Sequence, residues 1–292
     1  MNFENGISKH TLFLIVITTQ QAKALKYNLE EEVERAKMRS EFFVKRLQFL
    51  YDINYKDAIP YFEKSANSRV RCATGFAAFC YSAMGDNQNS FLWYKKGAEL
   101  GDADSQFNIG IFYYNGIVVR KDLKTAVEWF TKGAQQGYDE AQFNLSMCYY
   151  KGAGVTKDYN KAVLRFSRAA KSGHAKSQTN LAVCYEKGLG VEQDIQMAFY
   201  WCMKGAEQGE PNAEYNLGNY YYFGKGVSEN AHEAVIWYTK AAEQGLYQAQ
   251  FNLGNCYFNG DGVVKNEQKA REWMKKASDN GCLEARQWLV KH

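Results

Sequence analysis

The chain has 292 residues, 46% of them hydrophobic and 15% aromatic, which is ample for a packed core and excludes a disordered chain. Its 36 basic and 32 acidic side chains leave a net charge of +4 with no basic run. Nucleic acid is therefore not expected as the main partner, because phosphate binding needs a concentrated basic surface.

In chain order, residues 1–24 have the layout of an export leader. Met1 to Lys9 is polar, Leu12 to Ile17 is a short apolar run, and Ala22-Lys23-Ala24 is a small-residue cleavage pattern. The run is too short to span a bilayer. The expectation is a cleaved signal peptide, a mature chain starting near Leu25 and a periplasmic or secreted protein. The alternatives are a β-prone or helical N-terminal cap or a disordered lead, and a cytoplasmic protein.

Residues 25–102 read as degenerate helical pairs leading into a more regular array. Asn28 to Arg39 is charge-rich, and Glu30-Glu31-Glu32 fits a solvated helix face better than a metal site. Phe42, Phe43, Leu47, Leu50 and Tyr51 add an apolar stripe, and Ala58, Tyr61, Phe62 and Ala66 suggest the second helix of an early pair. Ala73, Ala77 and Tyr81 recur every four residues, Gly85 and Asp86 break that helix, and Trp93, Tyr94 and Ala98 mark the next.

From residue 103 to 292 the text repeats every 36 residues. Asn108, Asn144, Asn180, Asn216 and Asn252 keep this step, as do Gly116, Gly152, Gly188, Gly224 and Gly260. Ala126, Ala162, Ala198, Ala234 and Ala270 form another column, and Trp129, Trp201, Trp237 and Trp273 a fourth, with Arg165 in its gap. Such a period is the mark of a solenoid. Each repeat reads as two antiparallel helices. In the second full repeat the first helix carries Ala141, Leu145 and Tyr149 toward the core, with Asn144 and Cys148 on a neighbouring line. Gly152-Ala153-Gly154-Val155 then turns the chain, the valine plugging the turn onto the core. Asp122, Asp158, Asp194, Asn230 and Asn266 sit where an N-cap or first-turn side chain satisfies helix amides. Gly137, Gly173, Gly209 and Gly245 end the second helices. One pair cannot bury its apolar face alone, so stability comes from stacking. The last stretch, with Ala285, Trp288 and Leu289, starts a sixth first helix as a partial cap with Arg286, Lys291 and His292 toward solvent.

Three stretches carry a family resemblance: Ala213-Glu214-Tyr215-Asn216-Leu217-Gly218, Gly224-Lys225-Gly226-Val227, and Ala234 through Gly245. They resemble Sel-one-like repeats, a 36-residue relative of the tetratricopeptide helical pair, over residues 103–289. The resemblance implies an all-α, right-handed α-solenoid of stacked antiparallel helix pairs that scaffolds other proteins and carries no catalytic residues. Some members of that family pair cysteines between one repeat's second helix and the next repeat's first. The matching positions here hold Ala134 and Gln142, or Ala170 and Gln178, so the chain departs from that subclass.

The seven cysteines fit packing better than chemistry. Cys148, Cys184 and Cys256 share a column with Phe112 and Tyr220, and adjacent copies would lie about 10 Å apart, beyond disulfide reach. Cys72 and Cys80 would be about 12 Å apart along one helix. Free thiols suit a reducing compartment and stand in tension with the export leader. His10, His174, His232 and His292 show no zinc-ligand spacing, and neither a Gly-x-Ser-x-Gly elbow nor a phosphate loop is present. Gly188-Leu189-Gly190 is the repeat turn, with no strand before it. No enzyme activity, metal or cofactor is expected.

What remains is the other face of the first helices, which the resemblance places on the concave surface. Its columns read Phe107, Ile111, Tyr114 and Asn115, then Phe143, Met147, Tyr150 and Lys151. They continue as Thr179, Val183, Glu186 and Lys187, then Tyr215, Asn219, Tyr222 and Phe223, then Phe251, Asn255, Phe258 and Asn259. Aromatic anchors among adaptable amides suit a protein partner. The column of Phe107 and Phe143 has a competing role as packing between neighbouring helices. Glu186, in a column otherwise aromatic, points to partial exposure because an unpaired buried carboxylate is costly. The expected function is a monomeric, non-enzymatic adaptor that holds a protein in this groove. The alternatives are an immunity-type inhibitor that occludes a bacterial toxin and, behind it, a hydrolase.

Overall fold

The computed structural model describes Lys56, Ile59, Pro60, residues 62–64 and residues 71–292, with side chains from residue 73 onward in the last stretch. The leader-like residues 1–24, His10, the acidic cluster at Glu30, the stripe from Phe42 to Tyr51, Ala58, Tyr61, Ala66 and the Cys72 side chain lie outside the described residues. The chain divides into two compact units between Ser105 and Gln106.

In the first unit, α1 (Arg71–Ala83) packs against α2 (Asn87–Glu99). Ile59 and Phe62 are buried with Ala77 and Cys80, and the Phe62 and Phe76 rings stack at 5.5 Å. Asp86 caps α2, accepting from the Asn89 amide at 3.0 Å.

α3 (Ala103–Asn115) opens the first full repeat and pairs in sequence with α4 (Leu123–Gln135). The same order follows in α5 (Asp139–Lys151) and α6 (Tyr159–Lys171), α7 (Ala175–Lys187) and α8 (Ile195–Glu207), α9 (Pro211–Phe223) and α10 (Ala231–Glu243), and α11 (Tyr247–Asn259) and α12 (Glu267–Asp279). A shorter helix, α13 (Leu283–Lys291), packs on α12. From α4 to α13 each helix packs against the next in sequence, which is the packing of an α-solenoid.

The elements form for local reasons. Asp122, Asp158, Asp194, Asn230 and Asn266 are all N-caps in extended backbone, each accepting from an amide of the first turn. The second helices end on a left-handed glycine. Gly137, at φ 84°, donates to Ala134 O, and Tyr138 N donates back to Gly133 O. In the turn between helices, a Cβ on Gly154, Gly190 or Gly262 would strike the backbone that opens the preceding second helix, at Leu123, Tyr159 or Ala231. The first full repeat has Val118 at this turn position, held at φ 65°, a conformation costly for a β-branched residue. Val155, Val191, Val227 and Val263 pack on the cores as the sequence implies.

One face assignment shifts. The buried line of α5 is Ala141, Leu145 and Cys148, while Tyr149 is only half-buried. At the last helical turn a ring of that size reaches the surface, and Lys161 and Arg165 lie over it at 5.5 and 5.8 Å.

A polar clamp recurs beside the apolar core. Gln178 Nε2 donates to Ala170 O of the preceding second helix at 3.0 Å, and Gln208 Nε2 of its own second helix donates to Gln178 Oε1 at 2.7 Å. Gln250 and Asn280 repeat both bonds, with Ala242 O as acceptor. Gln136 meets Gln106 at 2.8 Å and Gln244 meets Glu214 at 2.7 Å. In the second repeat, Ser172 is too short for this bond and turns to Asp139, leaving Gln142 Oε1 buried without a partner. A buried acceptor in that state is destabilising. Ser172→Gln should raise stability by about 1 kcal/mol, and Gln208→Ser should lower it by a similar amount, both read from denaturant melts.

Hydrogen bonds to helix amides and nearby side chains hold the Asp86, Asp122 and Asp158 carboxyls below the usual range, the leading cause being the Asn89 amide at Asp86, the Thr125 hydroxyl at Asp122 and the Lys161 amide at Asp158. A depressed folded-state pKa favours the native state fully above the unfolded value and loses that contribution as pH falls through the folded one. Melting temperature should therefore fall below about pH 4, and Asp122→Asn with Asp158→Asn should flatten that acid limb.

Candidate functional site

Across the five full repeats, one column of the second helices is fully buried against the first helix of the same repeat: Phe130, Phe166, Cys202, Tyr238 and Met274. The first helix answers with Gly110, Ser146, Ala182, Gly218 or Gly254. A Cβ on Gly110 would lie 2.5 Å from the Phe130 ring, and one on Gly218 would lie 2.6 Å from the Tyr238 ring. The large side chain thus lies in a groove on the first helix, and its ring edges reach toward the face proposed for a partner.

Two aromatic columns of that face rest on these rings. Phe107, Phe143 and Tyr215 lie 6.0, 6.0 and 6.1 Å from Phe130, Phe166 and Tyr238. Tyr114, Tyr150 and Tyr222 lie 6.3, 6.5 and 6.4 Å from the same three rings. Phe143 also meets His174 at 5.2 Å, and Tyr150 meets Tyr159 at 5.2 Å. Tyr222 donates to Asp261 Oδ2 at 2.9 Å, and burial together with that bond pushes its phenol up to about 12. Phe258 packs edge-on to Trp288 and His292. These rings are half-buried, so each serves as a wall of its repeat as well as a surface. Met147 is half-buried against the core of the second repeat.

The third repeat breaks the pattern in three places together. Cys202 replaces the central ring, Thr179 the first flanking ring and Glu186 the second. Tyr220 of the next repeat packs into the same cluster as Cys202, and Phe199 meets it edge-on at 6.0 Å. Burial, then the charge of Glu186, raises the Tyr220 phenol pKa. Glu186 is 30% exposed and pairs with Lys225 at 3.4 Å. Thr179 Oγ1 donates to Glu210 Oε2 at 3.0 Å. Glu186 thus stands where the other four full repeats have an aromatic ring.

Beside it opens a cleft of about 300 Å³, lined by Glu186, Tyr215, Asn216, Asn219, Tyr220, Phe223, Lys225 and Asn252. Asn219 Oδ1 accepts from the Tyr238 hydroxyl at 2.7 Å and from Asn252 Nδ2 at 3.3 Å, which fixes the amide at the cleft wall. Of the residues expected from sequence, Glu186, Tyr215, Asn219 and Phe223 come together here. Asn216, Tyr220, Lys225 and Asn252 join them; the 36-residue column of Asn216 and Asn252 was the available signal for two of these.

The outermost column behaves differently from the rings. Asn115, Lys151, Lys187, Phe223 and Asn259 are all exposed, Phe223 by 60%. Asn255 is half-buried. The six described free cysteines are internal packing groups, burial pushing the Cys148 and Cys184 thiols up to about 11 and Cys256 to about 12. Among the described residues no cluster of His, Cys, Asp and Glu is arranged to hold a metal ion.

The two aromatic columns separate in an unfolding experiment. Tyr150→Ala should cost about 2 kcal/mol, because its ring packs on Phe166 and Tyr159. Phe223→Ala should change stability by no more than about 0.5 kcal/mol. A chemical-denaturation pair checks both.

The model of the Sel1 repeat matches residues 82–102, 103–138, 139–174, 175–210, 211–246 and 248–282, more than half of the chain. The match begins upstream of the regular array at 103. Among solved structures, the chain is similar to a protective antigen present in uropathogenic Escherichia coli strains that displays an SLR fold. Identity is 30% and TM-score 0.74, over 92% of this chain and 58% of that one. The chain thus spans little more than half of that relative. It is also similar to a Sel1 repeat protein from Oxalobacter formigenes at 26% identity and TM-score 0.75, over 82% of this chain and 97% of that one. A search of curated proteins found no match. With its helical pairs, its 36-residue step and these matches, the chain belongs to the Sel1 repeat family.

Proposed function

We propose that the first-helix face of the full repeats, centred on the cleft beside Glu186, holds a segment of a protein partner, and that the chain works as a non-enzymatic adaptor. Sel1 repeats in general mediate protein interactions. The observation that carries the reading is Phe223, an aromatic side chain left 60% exposed at the mouth of a cleft whose walls are fixed amides. An exposed ring beside a preformed polar cavity has the make-up of a hot spot: area to bury, with donors and acceptors to orient what buries it. The half-buried tyrosines are the supporting wall.

The leader-like pattern from Leu12 to Ala24 supports export, and we extend the proposal to a periplasmic or secreted adaptor. Expression with the native N-terminus, fractionation and N-terminal sequencing test this part. A mature start near Leu25 in the periplasm supports it, and an intact Met1 in the cytosol refutes it.

For the face itself, the partner is captured with the purified chain, identified by mass spectrometry and titrated by calorimetry. Phe223→Ala with Asn219→Ala should weaken binding by about 2 kcal/mol. Undiminished affinity in a folded double variant would move the partner off this face. A captured toxin whose activity the chain blocks would turn the adaptor into an inhibitor.

A further inference from the structure

One edge of the repeat array changes charge along its length. Where the first two full repeats turn from first to second helix, six cations are exposed: Arg120, Lys121, Lys124, Lys151, Lys157 and Lys161. Lys161 pairs with Asp158 at 3.3 Å, and the other five make no ion pair among the described residues. The two carboxylates among them, Asp122 and Asp158, are engaged as N-caps. The two turns adjoin, since Gly154 of the second packs on Leu123 at the head of α4. At the same positions the third repeat has Lys187 and Glu192, the fourth has Glu229 and Glu233, and the fifth has Lys265 and Lys269 with Glu267 paired to Lys265 at 3.6 Å. The cations border the aromatic face. Lys121 lies 5.9 Å from the Tyr114 ring, and Lys157 lies 5.0 Å from the ring of Tyr159, which meets Tyr150.

We propose that this edge binds an acidic peptide segment of the partner, running in extended form along the first two full repeats. The inference rests on the partner-binding reading of the adjoining face and names the chemistry of one part of the partner. Charge complementarity carries it. Five cations that make no ion pair among the described residues stand on a chain whose charges are otherwise nearly balanced, and they lie on two turns that adjoin. A peptide fits better than a nucleic acid. Past the second repeat the edge turns neutral and then acidic at Glu229 and Glu233, which a peptide can follow by changing residue type. A strand with a phosphate at every step cannot.

The test uses the full chain and three fluorescein-labelled probes: a peptide of about ten residues alternating Glu and Leu, its Lys and Leu counterpart, and an oligothymidine of similar length. Anisotropy is read at about 50 and about 300 mM NaCl. The acidic peptide should bind tightest and weaken about tenfold between the two salt concentrations. Lys121→Glu with Lys157→Glu should weaken it about tenfold or more, while Lys171→Glu with Lys275→Glu, the same change of net charge elsewhere, should alter it less than about twofold. Equal binding of the two peptides, or equal loss in both double variants, overturns the proposal. Tighter binding of oligothymidine overturns it in favour of nucleic acid. Loss of the captured partner on Phe223→Ala with Asn219→Ala, but full binding by the Lys121 and Lys157 variant, would refute this edge and leave the adjoining face standing.

Discussion

The contact between one buried side chain of each second helix and a small residue of its own first helix sets the geometry of every full repeat. With Phe130 over Gly110 or Tyr238 over Gly218, an added Cβ has nowhere to go, so the two backbones are as close as the ring allows. That closeness leaves the ring edges open toward the first-helix face. The flanking aromatics then settle on them at 6.0 to 6.5 Å. The face that looks like a row of free aromatic anchors is largely a row of walls.

Cohesion between repeats uses different chemistry. Gln178 and Gln250 tie their first helices to the carbonyl ends of the preceding second helices, at the positions where some relatives were expected to carry cysteine pairs. A buried carboxamide can donate to one repeat and accept from its own at once, so one side chain joins three helices. The glycines of the turns add a backbone contact on the opposite edge. Both devices are local to neighbours, as the stability of a solenoid requires.

The third repeat departs from this packing in three columns at once. Cys202 stands in place of the central ring there, and Thr179 and Glu186 occupy the two flanking columns, whereas Met274 of the fifth repeat keeps rings in both. Tyr220 enters the shared cluster, and the remaining space is the cleft between Glu186 and Phe223. A carboxylate is tolerated because the site is open enough for Lys225 and water to reach it. Polarity, exposure and cavity thus coincide at one place in the array.

The sequence by itself determined the repeat, the helical pairs, the caps and the turn glycines, because these follow from spacing and from single residues acting on their own backbone. It also located the first-helix columns, since a helix of fixed period puts residues 143, 147, 150 and 151 on one side whatever surrounds it. Tertiary structure alone decided how much of each column is surface. Tyr150 and Phe223 are both large aromatics near the end of a first helix. One is held by Phe166 and Tyr159 and the other stands in solvent, because depth depends on the neighbouring helix, which the period of one helix does not encode. Tyr149 and Cys148 were exchanged for the same reason. The meaning of Glu186 also waited for the fold. In the sequence it is an isolated exception among aromatics, and only the packing of α7 on α8 joins it to Cys202, sixteen residues away.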